Sequence, residues 1–345
     1  MSNIYDVLVV GAGAAGCACA TRLARGVRAL LVDRGDPTRG RCCGGLIAHD
    51  AKAAIAALGV RLPEGVRVKP EPRSVHALDL ESGIEQHYRR CYWNVDRARF
   101  DAWLLDMARE RAEFRPGTQA TAAARTATGF RVTLREGGRT SDVLCRFLVG
   151  ADGASSGIRR ALVPDVPAVP KMIALQVELP PAPGLENQEV LFSSRLTDFY
   201  AWAIPKPDRT LVGAAFSDPH ATRPRFDEVV RVFCAQHGIE NRVLSRSSRL
   251  LSRPSRRKQL CPGGDGLLLC GEAAGLVSPS SGEGISFALA SGMAAAAALT
   301  SAEPARAYTR PFAALARRVQ TKFLKARIIF SPHLRRLALR LPWYP

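Results

Sequence analysis

A glycine-rich loop between an apolar strand and a helical segment constrains this chain more than any other feature. Residues 4–10 (IYDVLVV) read as a buried strand, and Gly11, Gly13 and Gly16 then follow as G-x-G-x-x-G. The first glycine of that pattern permits a tight turn, the second lets backbone N–H groups approach a pyrophosphate, and the third allows close helix–strand packing. Asp33 closes the next apolar strand, where an acid accepts hydrogen bonds from an adenosine ribose. This unit predicts a dinucleotide site rather than a bare structural loop.

Two later segments repeat the sequence of strand, glycine loop and helix. Residues 147–160 (FLVGADGASSGIRR) place Asp152 at a strand end, beside the first loop if the sheet is parallel. In residues 266–289, Glu272 is suited to accept hydrogen bonds from ribityl hydroxyls, and 282–284 open a helix whose positive end would stabilise a reduced flavin. A nicotinamide enzyme with one Rossmann fold needs neither feature, so both favour FAD.

These motifs carry a family resemblance. GAGAAG, GADGASSGIRR and GEAAGLVSPSSGEG resemble the FAD-binding set of the glutathione-reductase-like superfamily, and within it the geranylgeranyl-reductase-like flavoproteins, relatives of flavin hydroxylases and halogenases. RCCGGL, NVDRARFDAWLL and YAWAIP are similar to that family's Cys-Gly-Gly, Arg-x-x-Phe-Asp-x-x-Leu and Tyr-x-Trp-x-Phe-Pro segments, so the resemblance covers roughly residues 4–300. The sequence departs from the family where Glu272 replaces the usual Asp and Ile204 replaces a phenylalanine.

The resemblance implies an α/β fold: a Rossmann-like FAD domain of the glutathione-reductase-2 type, an inserted antiparallel β-sheet substrate domain and a C-terminal helical tail. The chain order agrees, because α/β patterns flank four short alternating runs between 171 and 216. The expected boundaries are 1–65, 95–165 and 255–305 for the FAD domain, 66–94 and 166–254 for the substrate sheet, and 306–345 for a basic helical segment.

The motifs and the resemblance together predict which residues contact FAD. They are Gly11, Gly13, Ala14, Ala15, Gly16, Asp33, Arg34, Arg41, Cys43, Gly44, Gly45, Arg97, Asp152, Gly153, Gly271, Glu272, Pro279, Gly282, Glu283, Gly284 and Ile285.

Four residues are candidates for chemistry: Cys42, Cys43, Tyr200 and Trp202. Tyr200 and Trp202 alternate with alanines on an expected strand, so both point to one face. That face forms either an aromatic wall for an extended apolar substrate or ordinary packing on a helix. The two cysteines place a thiol near the flavin, as proton donor, redox switch or covalent partner, if its pKa is depressed. The alternative is a loop cysteine that only packs.

The chain is strongly basic, with 49 Lys and Arg against 31 Asp and Glu and a net charge of +18. The positive electrostatic field of such a chain favours an anionic partner. The alternative is an arginine-rich surface that is only solvated, which would give the same net charge. No recognisable nucleic-acid motif accompanies the charge, so we expect no nucleic-acid partner. Nine cysteines without a C-x-x-C pair, and six scattered histidines, predict neither a metal site nor a disulfide framework.

The C-terminal segment 317–345 mixes Arg and Lys with Leu, Ile, Phe and Trp. This composition suits either a helix in an anionic membrane interface or a helix packed on the FAD domain with its arginines outward. The sequence shows no signal peptide and no apolar run of membrane-spanning length. We therefore expect a cytoplasmic protein, with peripheral contact at the inner membrane surface as one option.

The first functional hypothesis is an FAD-dependent oxidoreductase that reduces, or in reverse desaturates, C=C bonds of an isoprenoid or other apolar substrate by hydride transfer from flavin N5. Its electrons would come from NAD(P)H or an acidic electron-carrier protein. The second is an O₂-using flavin monooxygenase or halogenase, because YAWAIP is close to the halogenase pattern Trp-x-Trp-x-Ile-Pro; no clearly placed lysine is evident to carry an activated halogen. The third is a non-catalytic FAD electron-transfer protein.

Overall fold

The computed structural model describes residues 4–36, 42–218 and 222–340. The helices are α1 Ala14–Thr21, α2 His49–Ala57, α3 Arg97–Arg109, α4 Gly157–Leu162, α5 Thr222–His237, α6 Ile285–Ala298, α7 Pro304–Ile329 and α8 Pro332–Ala338. The strands are β1 Ile4–Val10, β2 Ala29–Val32, β3 Leu46–Ile47, β4 Ser74–Asp79, β5 Ile84–Arg89, β6 Trp93–Asn94, β7 Glu113–Arg115, β8 Thr118–Thr126, β9 Gly129–Glu136, β10 Arg139–Gly150, β11 Lys171–Leu179, β12 Gln188–Phe192, β13 Ala201–Pro205, β14 Thr210–Phe216, β15 Ser245–Ser252, β16 Gly263–Gly264 and β17 Leu267–Leu269.

Five parallel strands, in the order β17-β10-β1-β2-β7, form the centre of the first sheet. Strands β2 and β17 are buried along their whole length, as expected for a parallel sheet covered on both faces. The register sets Val10 beside Gly150 and Gly150 beside Leu269. Strands β1, β10 and β17 therefore end at the same edge, and the three predicted glycine loops leave the sheet side by side.

Small side chains let the helices over this sheet approach one another closely. A Cβ on Gly292 of α6 would lie 2.2 Å from the carbonyl oxygen of Ala15 in α1. The alanine-rich sequence of α6 is explained by this contact, because larger side chains would force α1 and α6 apart.

The second sheet has seven strands in the order β15-β11-β14-β13-β12-β4-β5. All its neighbours are antiparallel except β4 and β12, which run parallel with Ala77 opposite Val190. Helix α5 covers one face, where Phe226 and Phe233 pack with Ala201 and other residues of the sheet. The predicted fold class is confirmed, although the inserted sheet contains one parallel pair where a purely antiparallel sheet was expected. The domain boundaries stay a prediction.

The C-terminal helices pack on both sheets. Tyr308, Phe312 and Val319 of α7 belong to the core of the first sheet. In α8, the Arg335 guanidinium is 3% exposed and pairs with Asp79 at 3.1 Å and Glu81 at 2.7 Å. Among the described residues, no helix combines the length and apolar character that crossing a bilayer requires.

Candidate functional site

The three glycine loops touch through their backbones. Gly11 N–H donates to Val32 (2.7 Å), Ala151 N–H to Val10 (2.8 Å) and Cys270 N–H to Gly150 (2.9 Å). Gly11 has φ +105°, and a Cβ there would lie 2.4 Å from the Ala151 carbonyl oxygen. Glycine adopts this positive φ without strain, and it has no Cβ to clash with the neighbouring loop.

The first loop has the features of an anion site with an adenosine end. Gly13 caps α1 in an extended conformation with no side-chain hydrogen bond, so N–H groups of the first turn at Ala14 and Ala15 are available to a ligand. Asp33 accepts from Ala12 N–H (2.8 Å) and Gly35 N–H (2.9 Å), which fixes its carboxylate across the loop. Arg34 beside it is exposed.

The two acids predicted to meet the cofactor are already engaged by the protein. Asp152 accepts from Ser156 Oγ (2.5 Å) and from the backbone N–H groups of Gly157 (2.7 Å) and Ile158, and burial raises its pKa. Glu272 accepts from Ser252 N–H at 3.0 Å and lies 3.6 Å from Arg249. The two acids thus stabilise the conformations of the second and third loops, and a carboxylate has further lone pairs that can accept from a ligand.

The third loop contacts both the first loop and the second sheet. A Cβ on Gly271 would be 3.2 Å from that of Ala15, and Gly284 caps α6, which starts at Ile285. Both carboxylate oxygens of Glu283 accept hydrogen bonds from Arg90 at 2.8 Å. The remaining predicted contacts of these loops are two glycines with positive φ and one loop proline: Gly153, Gly282 and Pro279.

The Cys-Gly-Gly segment lies against β13, in the second sheet. A Cβ on Gly44 would be 2.3 Å from Ile204 Cδ1, and one on Gly45 would be 2.4 Å from the Val95 carbonyl oxygen and 2.8 Å from Lys206 Nζ. Gly45 also has φ +67°, so its position requires glycine, whereas at Gly44 the flexible end of Ile204 would have to move. The predicted contact Arg41 lies outside the described residues.

Cationic groups surround Cys43. Burial alone would raise its pKa, but Arg97, the Gly45 N–H and Arg249 together hold that pKa below its ordinary value. Burial instead raises the pKa of Cys42 to about 11. The electrostatics therefore distinguish the two thiols and favour a thiolate at Cys43.

Arg97 and Lys206 are buried in the same cluster. Arg97 pairs with Asp101 at 2.9 Å, while its Nε is buried and finds no acceptor within the described chain. Lys206 is 7% exposed and donates to Asn94 Oδ1 and to the Val95 carbonyl (3.0 Å), and burial lowers its pKa to about 8. An unpartnered donor beside a glycine-lined loop fits a polar cofactor there.

Tyr200 and Trp202 share one face, as predicted, and that face packs with Cys42. Their rings meet edge to face with centroids 5.9 Å apart. The Trp202 indole lies flat on Gly213, where a Cβ would be 2.4 Å from the ring. Tyr200 also donates to the carbonyl of Ser281 at 2.6 Å, which ties the aromatic face to the third loop. The four candidate residues are thus gathered at one junction of the two sheets.

A cavity of about 190 Å³ adjoins this junction, between β4, β5, β12, the third loop and helices α7 and α8. Its wall includes four cationic residues that the sequence analysis missed: Arg90, Lys322, Lys325 and Arg335, the last of which pairs with Asp79 and Glu81. The spacing of Lys322 and Lys325 indicates that both lie on one face of a helix. Nothing in the sequence indicates that this helix lines a cavity. Lys206, directly after YAWAIP, was missed as well.

The fold and the three convergent loops define a flavoprotein with a Rossmann-type cofactor site. The chain belongs to the FAD-binding domain family, which it matches over residues 4–178. It is also 32% identical over 345 aligned residues to Protein CbrA of Escherichia coli O9:H4 (strain HS), covering 97% of this chain and 93% of that protein. The cofactor is therefore FAD and the protein is an FAD-dependent oxidoreductase, as predicted.

Two solved structures show the same fold. A geranylgeranyl bacteriochlorophyll reductase-like protein from Thermoplasma acidophilum superposes with a TM-score of 0.78 at 20% identity, covering 97% of this chain and 88% of the other. PqsL, a probable FAD-dependent monooxygenase from Pseudomonas aeruginosa, gives 0.73 at 18% identity, with 97% and 98% coverage. Reductase-like and monooxygenase-like proteins both share this architecture, so the reaction must be argued from the site.

Proposed function

We propose that this oxidoreductase reduces, or in reverse desaturates, a C=C bond in an isoprenoid or similar apolar chain that carries an anionic end. The observation that carries the proposal is the cavity beside Tyr200, which is apolar along one side and cationic along the other. FAD, when bound in the three loops, supplies the hydride for such a reaction.

The apolar side suits a hydrocarbon chain. Val190, Phe192, Tyr200, Ile328 and Ile329 line it. Each methylene buried against such a wall contributes about 0.8 kcal/mol, so several isoprene carbons would supply substantial affinity without polar contacts. A bonded Tyr200 hydroxyl leaves the ring itself as the contact surface for substrate.

The cationic side calls for a negative group. Among the described residues that line the cavity, Glu283 is the acid, and Arg90 already pairs with it. Lys322 and Lys325 make no ion pair within the described chain, and burial lowers the pKa of both, with Arg90 and Lys322 adding repulsion at Lys325. A phosphate or carboxylate on the substrate would relieve this repulsion while the chain extends along the aromatic wall.

In its protonated form, Cys43 would supply the proton that must accompany the hydride, because its lowered pKa makes the thiol a stronger acid. The thiolate that remains would be stabilised by Arg97 and Lys206, the groups that already act on this thiol. Re-protonation from solvent would complete the cycle. The electrons would come from NAD(P)H or an acidic carrier protein, for which a net charge of +18 favours encounter.

An oxygen-using monooxygenase or halogenase is the second candidate, supported by the Tyr-x-Trp-x-Ile-Pro strand and the likeness to PqsL. Lys206 is near, but two protein acceptors hold its ammonium group. Anaerobic, photoreduced protein mixed with a polyprenyl phosphate separates the candidates. We expect a product heavier by two hydrogens without oxygen; a strict oxygen requirement and a hydroxylated or halogenated product would establish the second candidate. Electron exchange with a carrier and no substrate turnover would instead indicate an electron-transfer protein.

The anionic end has its own test. A charge-assisted hydrogen bond contributes about 1.5–3 kcal/mol, so Lys325→Met should weaken binding of a prenyl phosphate about ten- to hundredfold. Binding of the matching prenyl alcohol should change little. Lys171→Met, at an exposed lysine on β11, is the control. Equal losses for phosphate and alcohol would contradict an anion site at Lys325.

We also propose that the tail contacts anionic lipid through an exposed apolar patch. Leu324, Leu334 and Leu337 are 66%, 47% and 61% exposed on helices rich in arginine. Apolar side chains beside basic ones are the composition of an interfacial helix. Such contact would bring the cavity close to a membrane-borne substrate.

A further inference from the structure

We infer that the face of the second sheet opposite the cavity holds a divalent transition-metal site, with zinc as the expected ion. The ligands are His76 of β4 and Glu85 and His87 of β5. Their ligand atoms all lie within 4.8 Å of one another. The inference is independent of the proposed reaction.

Strand register produces this cluster. Glu189 of β12, His76 and His87 are successive cross-strand partners, so they form one row across three strands. Glu85 is two residues before His87 and therefore shares its face. The two imidazole rings stack with centroids 4.2 Å apart and planes 6° from parallel, so they are neighbours on this face, and His87 must rotate out of the stack before both rings can bind one ion.

The distances suit a tetrahedral ion. Zinc binds nitrogen and oxygen at about 2.0–2.2 Å, which places neighbouring ligand atoms about 3.4 Å apart. His76 Nε2 and Glu85 Oε2 are already 3.3 Å apart. His87 is exposed, so a side-chain rotation completes the set at little cost. Three protein ligands leave a fourth position for water.

Glu189 supplies the outer contact that such sites use. Its carboxylate lies 2.5 Å from His76 Nδ1, the ring nitrogen that faces away from Glu85. A carboxylate on Nδ1 fixes the tautomer that leaves Nε2 free to bind a metal, and it makes the imidazole a better ligand. The competing interpretation is a protonated His76 held between two glutamates with no metal at all.

The site lies directly behind the cavity wall. Residues of β4, β5 and β12 alternate between faces, so Ala77, Gln86 and Gln188 line the cavity while their neighbours hold the ion. A bound metal would clamp β4 to β5 at the edge of the sheet and would hold that wall in place.

The test is metal titration of the full-length, chelator-treated protein with Zn²⁺ and Co²⁺. We expect one equivalent to bind, with a cobalt spectrum of nitrogen and oxygen ligands, and Tm to rise with Zn²⁺ concentration. His76→Asn and His87→Asn should abolish this uptake, and Glu189→Gln should weaken it about 10- to 100-fold. His49→Asn on exposed α2 and Cys91→Ser, which removes an exposed thiol, are controls that should bind normally.

Three results would overturn the site. They are no uptake by the unaltered protein, equal uptake by His87→Asn, and a thiolate–cobalt charge-transfer band that Cys91→Ser removes. His87 is exposed, so His87→Asn is expected to fold, and its metal-free Tm checks this directly.

Discussion

Replacing Lys206 by methionine tests the electrostatics of the site. The folded protein holds the pKa of this lysine near 8, against about 10.4 when unfolded. Below pH 8 both states carry the proton, and the folded state is penalised for burying it. Between pH 8 and 10.4 the unfolded state binds more protons, so stability should rise with pH. A shift of roughly 2.5 units corresponds to about 3 kcal/mol in full, of which about 2 kcal/mol is reached by pH 9.5.

The assay compares urea unfolding of the protein with Lys206 and of Lys206→Met at pH 7 and 9.5. Both proteins carry Cys43→Ser, because Lys206 and Cys43 influence each other's titration, and subtracting the two curves then cancels the titrating groups that do not interact with Lys206. We expect the protein with Lys206 to gain about 2 kcal/mol relative to the variant across this interval. Loss of the Asn94 hydrogen bond lowers the variant's stability equally at both pH values, so it does not affect the difference. A difference that stays constant with pH would refute a buried, charge-destabilised Lys206.

Three further outcomes are expected. Gly11→Ala should lose bound FAD, whereas Gly26→Ala, at a position with φ +86° and open space around it, should keep it. Both variants carry a backbone strain of about 1–2 kcal/mol, so they differ in the clash with the neighbouring loop. Equal FAD retention would show that this clash does not control FAD binding. In flavin-free protein at neutral pH, iodoacetamide should modify Cys43 before Cys42, as followed by peptide mass spectrometry, and the reverse order would contradict the assigned pKa directions. Leu337→Glu should reduce flotation with anionic vesicles, and unchanged flotation would exclude this patch.

The cofactor half of the molecule was predictable because its signals are local. Each glycine loop follows an apolar strand, and parallel strands end at one edge, so Gly11, Asp152 and Gly271 had to meet once the sheet was parallel. The shared face of Tyr200 and Trp202 followed from alternation alone.

The substrate half was less predictable because it depends on pairing between distant segments. No local sequence pattern predicts that β4 pairs in parallel with β12. This pairing nevertheless forms the cavity wall and places Glu189 beside His76. No local motif indicates that Glu272 accepts from Ser252 or that Glu283 accepts from Arg90, because these partners come from remote segments; contact of either acid with FAD stays a prediction. A motif identifies an acid, but only tertiary contacts decide what the acid accepts from.

The buried pairing of Arg335 with Asp79 and Glu81 fixes α8 as one wall of the cavity. The contacts of Arg335 lie at the end of β4 in the second sheet and not at the glycine loops, so we expect FAD to bind without α8. A stop codon after residue 331 should therefore leave a yellow protein that lacks one wall. It would also leave Asp79 and Glu81 without the guanidinium that neutralises them, and their mutual repulsion would destabilise this end of β4.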